Sequence, residues 1–532
     1  MPRFVKKRPF LTSAIIFLVT LGAFLTHNAF ADIRADMEGQ IRKLVSVARL
    51  AQMYYVEEVD WDTAVEGAIS GMLEKLDPHS VYIPPDKAQE NKENFSGKYE
   101  GIGIQYDIID GYLTVISPIA GSPSYKLGIK AGDRIVKIEG KSAYGIEREE
   151  VPDKLKGPKG SLVNVTIQRD GVKGYLDFDI ERDEIPITTI TASFMEDDST
   201  GYIALSRFAA ITAREVEEKL RELEKQNLKR LIFDLRGNSG GYLTEAVKVV
   251  GKFVKGHKIV VYTKGRSGEV DEEYFSDEFG RRMVRNYPLV VLVDRGSASA
   301  AEIVAGAIQD YDRGLIVGEN SFGKGLVQKE FPLHDGSAVR VTTAKYYTPA
   351  GRCIQRDYKG KDPEEYYQEI PDSTWASEDS LKNRPSYQTT GGRVVFGGGG
   401  IQPDVYVSSP VYSQRPQMVG ELLQKQIFFE YASQLLPQTR PFQGSMAYFR
   451  RHFKITPAME QAFKNLIREK APDVDMADVE ADMDFIRLRL KADLARRIWE
   501  NDGYYYMLLG EDNQYQHALK LFGEARKLAM LN

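Results

Sequence analysis

The sequence predicts a multidomain α/β protein, with a small β domain inserted ahead of a layered α/β core and helical regions at both ends. Three observations carry that expectation. Apolar runs at 230–235, 289–294 and 315–317 alternate with helical periodicity at 213–226, 243–254 and 300–309, the pattern of βαβ units around a sheet buried on both faces. Residues 97–183 break instead into short β-type runs divided by Gly, Pro and Asp turns. Residues 32–96 and 411–532 show mainly the 3.6-residue apolar spacing of helices. At 532 residues the chain exceeds what one core supports.

Residues 1–31 stand apart from the fold. Arg3, Lys6, Lys7 and Arg8 precede an apolar stretch over 10–24, and Ala29-Phe30-Ala31 supplies a small-x-small cleavage signal. A signal peptide cleaved after Ala31 is expected, hence export to the periplasm. An uncleaved segment would anchor the chain in the envelope, the one route to membrane association. The net charge is −5 and no Lys/Arg-rich run appears, which argues against a nucleic-acid partner. Cys353 is the single cysteine, so no intrachain disulfide forms, and its Gly-Arg-Cys-Ile setting suggests a structural thiol.

In the N-terminal region, 35–54 and 61–76 are expected helices, the second capped by Asp60 and stopped by Asp77-Pro78. Beyond Pro84-Pro85, strands are expected at 103–108, 112–116, 134–138 and 162–169. A short helix at Ser122–Gly128 leads into Ala131-Gly132-Asp133-Arg134-Ile135. Consecutive N–H groups in a Gly-rich loop such as Gly101-Ile102-Gly103-Ile104 capture a terminal carboxylate, and the next strand edge accepts the peptide by strand addition. The plainer reading is a β domain whose glycines only make turns. Over 97–183 the pattern resembles a PDZ domain, and the resemblance puts the carboxylate-binding loop at Gly101–Ile104.

In the core, 201–205 is a further expected strand, and Val216, Leu220 and Leu223 mark the inward face of helix 213–226. The C-terminal segments 417–436, 457–470 and 477–499 read as a helical shell or a homo-oligomer contact without chemistry of their own.

Two strand-turn-helix junctions carry the chemistry. One is Asp234-Leu235-Arg236-Gly237-Asn238-Ser239-Gly240-Gly241, the other Asp294-Arg295-Gly296-Ser297-Ala298-Ser299-Ala300-Ala301-Glu302. In layered α/β proteins ligands collect at the carboxyl ends of such strands. A serine opening a helix exposes its hydroxyl, with the Ala300 N–H beside it, while Gly240 and Gly241 allow a second N–H to approach closely. A hydroxyl nucleophile needs a base, and Lys324, in Gly323-Lys324-Gly325 ahead of an apolar strand, becomes one where burial disfavours its ammonium. Gln328 stands four residues on and is placed to orient the amine. The plain alternatives are an N-cap for Ser299, a solvated Lys324 and an ordinary strand Gln328.

Rival chemistries fare worse. Gly318–Lys324 begins like a phosphate loop, but Gly325 replaces the Ser/Thr that would hold Mg²⁺. No His-Glu-x-x-His or Cys/His cluster suggests a metal. A Ser-His-Asp triad through His334-Asp335 stays as a minor alternative.

The motif order closely resembles the C-terminal processing (tail-specific) serine peptidases over residues 60–410. That resemblance implies a crotonase-like layered protease core and a Ser-Lys peptidase without cofactor or metal. Ser299 would be the nucleophile, Lys324 the general base and Gln328 its orienting partner. Ala300 with Gly240 or Gly241 would form the oxyanion site. It also implies substrates with exposed apolar C-termini, cleaved near those ends, and a PDZ domain able to gate the cleft, with Arg134 a candidate relay. Ala301 stands where the family often has a second serine. The alternative function is a catalytically inactive PDZ scaffold on the same fold.

Overall fold

The computed structural model describes residues 37–368 and 384–530, apart from 120, 170, 281 and 282. The expected signal peptide lies outside the described residues. The chain divides into two units after Lys75.

The first unit contains a helix over 37–54 and a second over Trp61–Glu74. Asp60 caps the second, its carboxylate accepting from the Thr63 amide at 3.2 Å and the Thr63 hydroxyl at 2.7 Å. Trp61 Nε1 donates to Gln52 Oε1 at 2.6 Å across the turn.

The second unit opens with strand β1 (Val81–Ile83) and helix α1 (Pro85–Ser96). Strand β2 (Lys98–Gly101) then leads into the PDZ domain, built from β3 (Ile104–Ile109), β4 (Tyr112–Pro118), β5 (Arg134–Ile138), helix α2 (Glu150–Leu155), β6 (Leu162–Gln168) and β7 (Tyr175–Glu181). Its sheet runs β3-β4-β5-β6-β7, so β3 is an edge. Alternating residues such as Val163, Val165 and Ile167 fill a separate apolar core. The exit strand β8 (Asp183–Pro186) pairs antiparallel with β2, from Lys98 opposite Pro186 to Gly101 opposite Asp183. That two-stranded stem explains how a domain is inserted without disturbing its host.

The host core is a sheet of β9 (Ile190–Met195), β10 (Thr200–Leu205), β11 (Arg230–Asp234), β14 (Leu289–Val293), β15 (Leu315–Gly318) and β18 (Val405–Tyr406), ordered β9-β10-β11-β14-β15-β18. Only the β9–β10 pair is antiparallel. Leu231, Phe233, Val291 and Val293 point to one face, against helices α3 (Thr212–Lys225), α4 (Leu243–Val250) and α5 (Ala300–Asp310). Ile232, Val290, Leu292 and Val317 point to the other, covered by the C-terminal helices through Phe428, Leu490, Leu494 and Tyr515. Burial on both faces is why these strands read as unbroken apolar runs.

A second sheet carries β1, β12 (Ile259–Lys264), β13 (Val270–Phe275), β16 (Leu326–Pro332) and β17 (Ala338–Tyr347). Strand β17 lies between β1 and β12 and also pairs with β16.

Several boundaries differ from expectation. The 417–436 segment is two helices, Pro416–Gln424 and Ile427–Leu435, because Gln426 takes φ 56°. Segment 477–499 divides into Met476–Ala481 and Met483–Leu509, and the latter is broken at Trp499 and Glu500. Helix α4 stops at Val250. Among the described residues, no helix is long and apolar enough to cross a membrane.

Candidate active site

Strands β11 and β14 are parallel neighbours, with Asp234 opposite Leu292, so the loops after them leave the sheet side by side. Asp294 stitches the loops together, its Oδ1 accepting from the amides of Gly237 at 2.8 Å and Gly296 at 2.9 Å. The Ser297 hydroxyl donates to the Leu235 carbonyl at 2.8 Å, and the Ala298 amide to that of Asn238 at 2.9 Å. Asn238 is fully buried; its Nδ2 donates to the Leu205 carbonyl at 2.7 Å and its Oδ1 accepts from the Gly240 amide at 2.9 Å.

Ser299 does occupy the N-cap of α5, but at φ 53°, ψ −113°, a strained conformation for a residue with a Cβ. Glu302, one turn on and fully buried, holds this backbone in place. Its Oε2 accepts from the amides of Ser299 at 2.8 Å and Lys324 at 2.9 Å. Its Oε1 accepts from the Ser321 hydroxyl at 2.5 Å and the Gly323 amide at 2.7 Å. The Tyr346 hydroxyl lies 3.1 Å from the Ser299 carbonyl and 2.6 Å from that of Lys324. One carboxylate and one phenol thus fix two chain segments 25 residues apart in the sequence.

Ser299, Lys324, Gln328, Gly240 and Gly241 all line one groove of about 1300 Å³, roofed by α1. Among the described residues, the Lys324 amine has no hydrogen-bond or ion-pair partner. Burial first, and then the Arg340 guanidinium, hold it down to about 8; Glu302 and Asp77 act in the opposite sense. A fraction of this lysine is therefore a neutral amine near neutral pH. Burial raises the Glu302 carboxyl, with its four hydrogen bonds opposing that shift.

Gly240 (φ 100°) packs against the serine; a Cβ there would lie 2.7 Å from Ser299 Cβ and 3.0 Å from Ala300 N. Its own N–H is committed to Asn238. The Gly241 N–H has no acceptor among the described residues, although a Cβ at Gly241 would meet the Phe208 carbonyl oxygen at 2.0 Å. Ala300 is the first residue of α5, where an N–H has no intrahelical acceptor.

The remaining expected site residues lie elsewhere. Gly101 ends β2 and Ile104 opens edge strand β3, with Ile102 and Gly103 as the loop between them; the Ile102 carbonyl accepts from Ser124 N and that of Gly103 from Ile119 N. The Ile102 and Gly103 N–H groups have no acceptor among the described residues. Gly103 sits at φ 77°, where a Cβ would fall 2.2 Å from Ser122 Cβ. Arg134 lies over the Tyr112 ring within the PDZ domain and does not line the groove. His334 is exposed at the tip of the β16–β17 hairpin, and His257 is paired with Asp277; neither lines the groove. Among the described residues, no group of three or more His, Cys, Asp or Glu side chains is arranged to hold a metal ion.

Sequence reasoning passed over Glu302, although Ser299-x-x-Glu302 is the capping-box spacing. It also read Asp77 only as a helix stop. In the structure the Asp77-Pro78-His79-Ser80 turn lies against β17, where the Asp77 carboxylate accepts from the Thr342 hydroxyl at 3.0 Å. His79 touches the hydroxyls of Tyr366 and Tyr367, and burial, then the Lys324 charge, hold it down to about 4.

Residues 199–366 match Peptidase family S41, and residues 114–169 match the PDZ domain. Residues 26–87 match the N-terminal domain of the activating protease CtpB, and 418–500 a family of unknown function. Carboxy-terminal processing protease CtpB of Bacillus subtilis is 38% identical over 338 residues, covering 63% of this chain and 69% of the relative. The carboxy-terminal-processing protease of Bartonella bacilliformis is 37% identical over 320 residues, 59% of this chain and 73% of that one. Among solved structures, a photosystem II D1 C-terminal processing protease is 28% identical and covers 68% of this chain and 86% of its own, with a TM-score of 0.35. With these matches, the chain belongs to the carboxy-terminal processing proteases, the PDZ-containing serine peptidases of family S41.

Proposed function

We propose that the chain is an exported endopeptidase that captures unstructured protein C-termini through its PDZ domain and cleaves near them by Ser-Lys acyl-enzyme chemistry. The observation that carries this reading is the shared anchorage of Ser299 and Lys324 on Glu302, with the lysine amine unpaired and held down to about 8 in the same groove. The neutral amine takes the Ser299 proton as Oγ bonds to the scissile carbonyl carbon. The oxygen of the tetrahedral intermediate is received by the N–H groups of Ala300 and Gly241, because that of Gly240 is already used. As the C–N bond breaks, Lys324 returns the proton to the leaving amine. Water then attacks the ester with Lys324 as base, and Ser299 is regenerated.

The unpaired amides of Ile102 and Gly103 and the free edge of β3 suit a terminal carboxylate followed by an added strand. Export rests on the leader-like residues 1–31.

The test is cleavage of an unfolded reporter ending in apolar residues. Ser299→Ala and Lys324→Ala are each expected to lose about 10³-fold or more in kcat. Parental turnover in either variant overturns the assignment of that residue.

A further inference from the structure

Gln328 and Thr342 face each other in the β16–β17 ladder, so their side chains share one face of the sheet. Gln328 Nε2 lies 3.4 Å from Thr342 Oγ1, and Thr342 Oγ1 lies 3.0 Å from Asp77 Oδ1. On the far side of β17, the Thr342 amide donates to Ser80 Oγ at 3.1 Å, and that hydroxyl donates to Asp77 Oδ2 at 2.7 Å. Asp77 Oδ1 also accepts from the amides of His79 at 2.8 Å and Ser80 at 3.0 Å. Strand β1 keeps the turn in place by pairing Val81 with Arg340 and Ile83 with Ala338.

We propose that Asp77 and Thr342 are positioning residues that set which way round the Gln328 amide sits, leaving its Oε1 to accept from the Lys324 amine. The proposal rests on the Ser-Lys reading above.

The direction follows from donor and acceptor inventories. A carboxylate only accepts, so the single Thr342 hydroxyl proton goes to Asp77. The Thr342 oxygen is left with lone pairs alone, and only the NH₂ side of Gln328 satisfies it. Without that constraint the two ends of a Gln amide are nearly interchangeable. The orientation decides the chemistry at the lysine. A neutral amine has one lone pair, needed for the Ser299 proton, and two N–H groups. An amide oxygen takes one N–H and leaves the lone pair facing the serine. A flipped amide would donate into that lone pair and compete with the substrate reaction. The charged groups facing Lys324 are Glu302 from α5, Arg340 from β17 and Asp77 from the turn, with His79 beside it neutral above about pH 4.

The experiment compares Thr342→Val, Thr342→Ser and Asp77→Asn with the parent, using fluorescein-labelled casein as probe and thermal melts to verify folding. Thr342→Val is expected to lose about tenfold or more in kcat with KM within about twofold, and Thr342→Ser to restore it. Asp77→Asn removes a negative charge that favours the ammonium, so the acid limb of its pH profile is expected to move to lower pH. That shift follows from the lost charge alone. The limb that reports on the Gln328 amide is that of the uncharged Thr342→Val, expected to move to lower pH as the ammonium loses an acceptor, where a purely structural role would leave it in place. Parental kcat in Thr342→Val, equal losses in the Val and Ser variants, or an unshifted acid limb in Thr342→Val overturns the proposal. If Asp77→Asn does not fold, the Thr342 pair decides. Lys324→Ala in the same assay separates the two readings: if it is active, the Ser-Lys mechanism itself falls, whereas a dead Lys324→Ala beside a parental Thr342→Val sinks only the relay.

Discussion

Lys324 and Lys491 are both half-buried lysines held down to about 8, and in both desolvation is the main cause. Their second causes are alike too: Arg340 for the first, Lys454 and then Arg450 for the second. They differ in what the amine meets. Lys491, on the Met483–Leu509 helix of the C-terminal region, donates to the Arg450 carbonyl at 2.6 Å. Lys324 has no partner among the described residues and lines the groove that Ser299 also lines. A depressed lysine is therefore not in itself a general base. In the proposed mechanism it becomes one where the amine shares its groove with a hydroxyl to deprotonate.

The sharpest way to break that contrast is to remove each amine in turn. Lys324→Met is expected to lose about 10³-fold or more in kcat, whereas Lys491→Met stays within about twofold, measured on one unfolded reporter. Comparable losses in the two would mean that burial, not placement, governs the effect. Next in size is Gly240→Ala, whose new Cβ would press on Ser299 and on Ala300 N at a positive φ. It is expected to cost about 10²-fold in kcat. The pH profile sharpens the same point. In the proposed mechanism turnover needs the neutral Lys324 amine, so kcat/KM is expected to rise with pH and level off above about 8. Lys491→Met should leave that profile unchanged, and a limb that moved with Lys491 would assign the titration to the wrong residue.

Much of this was legible in the sequence, for physical reasons that also mark where legibility stopped. Strands β11 and β14 are buried on both faces, so they appear as apolar runs, and the serine and glycine junctions follow directly after them. Of the β16–β17 hairpin only the first strand was expected, and as an apolar one; beyond Leu326 it is largely exposed, and residues such as Lys329, Glu330 and Arg340 break the apolar run that would have marked the pair. The break at Gln426 could not be foreseen, since no Gly or Pro marks it. The second role of Asp77 was out of sight because a helix stop is a local property, while its Thr342 partner lies 265 residues away. The proposed preference for the Gly241 amide over that of Gly240 likewise draws on coordinates, because it turns on the Asn238 side chain taking one of two adjacent amides. Lys491 gave no signal at all: it is one of several cations on an amphipathic helix.

The smallest expected effect concerns stability, where the two lysines should behave alike in sign. Each folded-state value lies below the ordinary 10.5. Between about 8 and 10.5 the unfolded chain binds a proton that the folded chain does not, so stability rises with pH across that window. Below about 8 both states are protonated, and the folded protein bears the full cost of burying the ammonium. At pH 7, Lys324→Met is therefore expected to stabilise the fold, by up to about 3 kcal/mol. Lys491→Met should gain less, because the Arg450 carbonyl loses its donor when the amine goes. Urea melts at pH 7 and above pH 10 decide the matter: the gain for Lys324→Met should shrink at the higher pH. If Lys324→Met is instead destabilised at pH 7, burial does not disfavour the Lys324 ammonium, and the likeness to Lys491 on which the comparison rests does not exist.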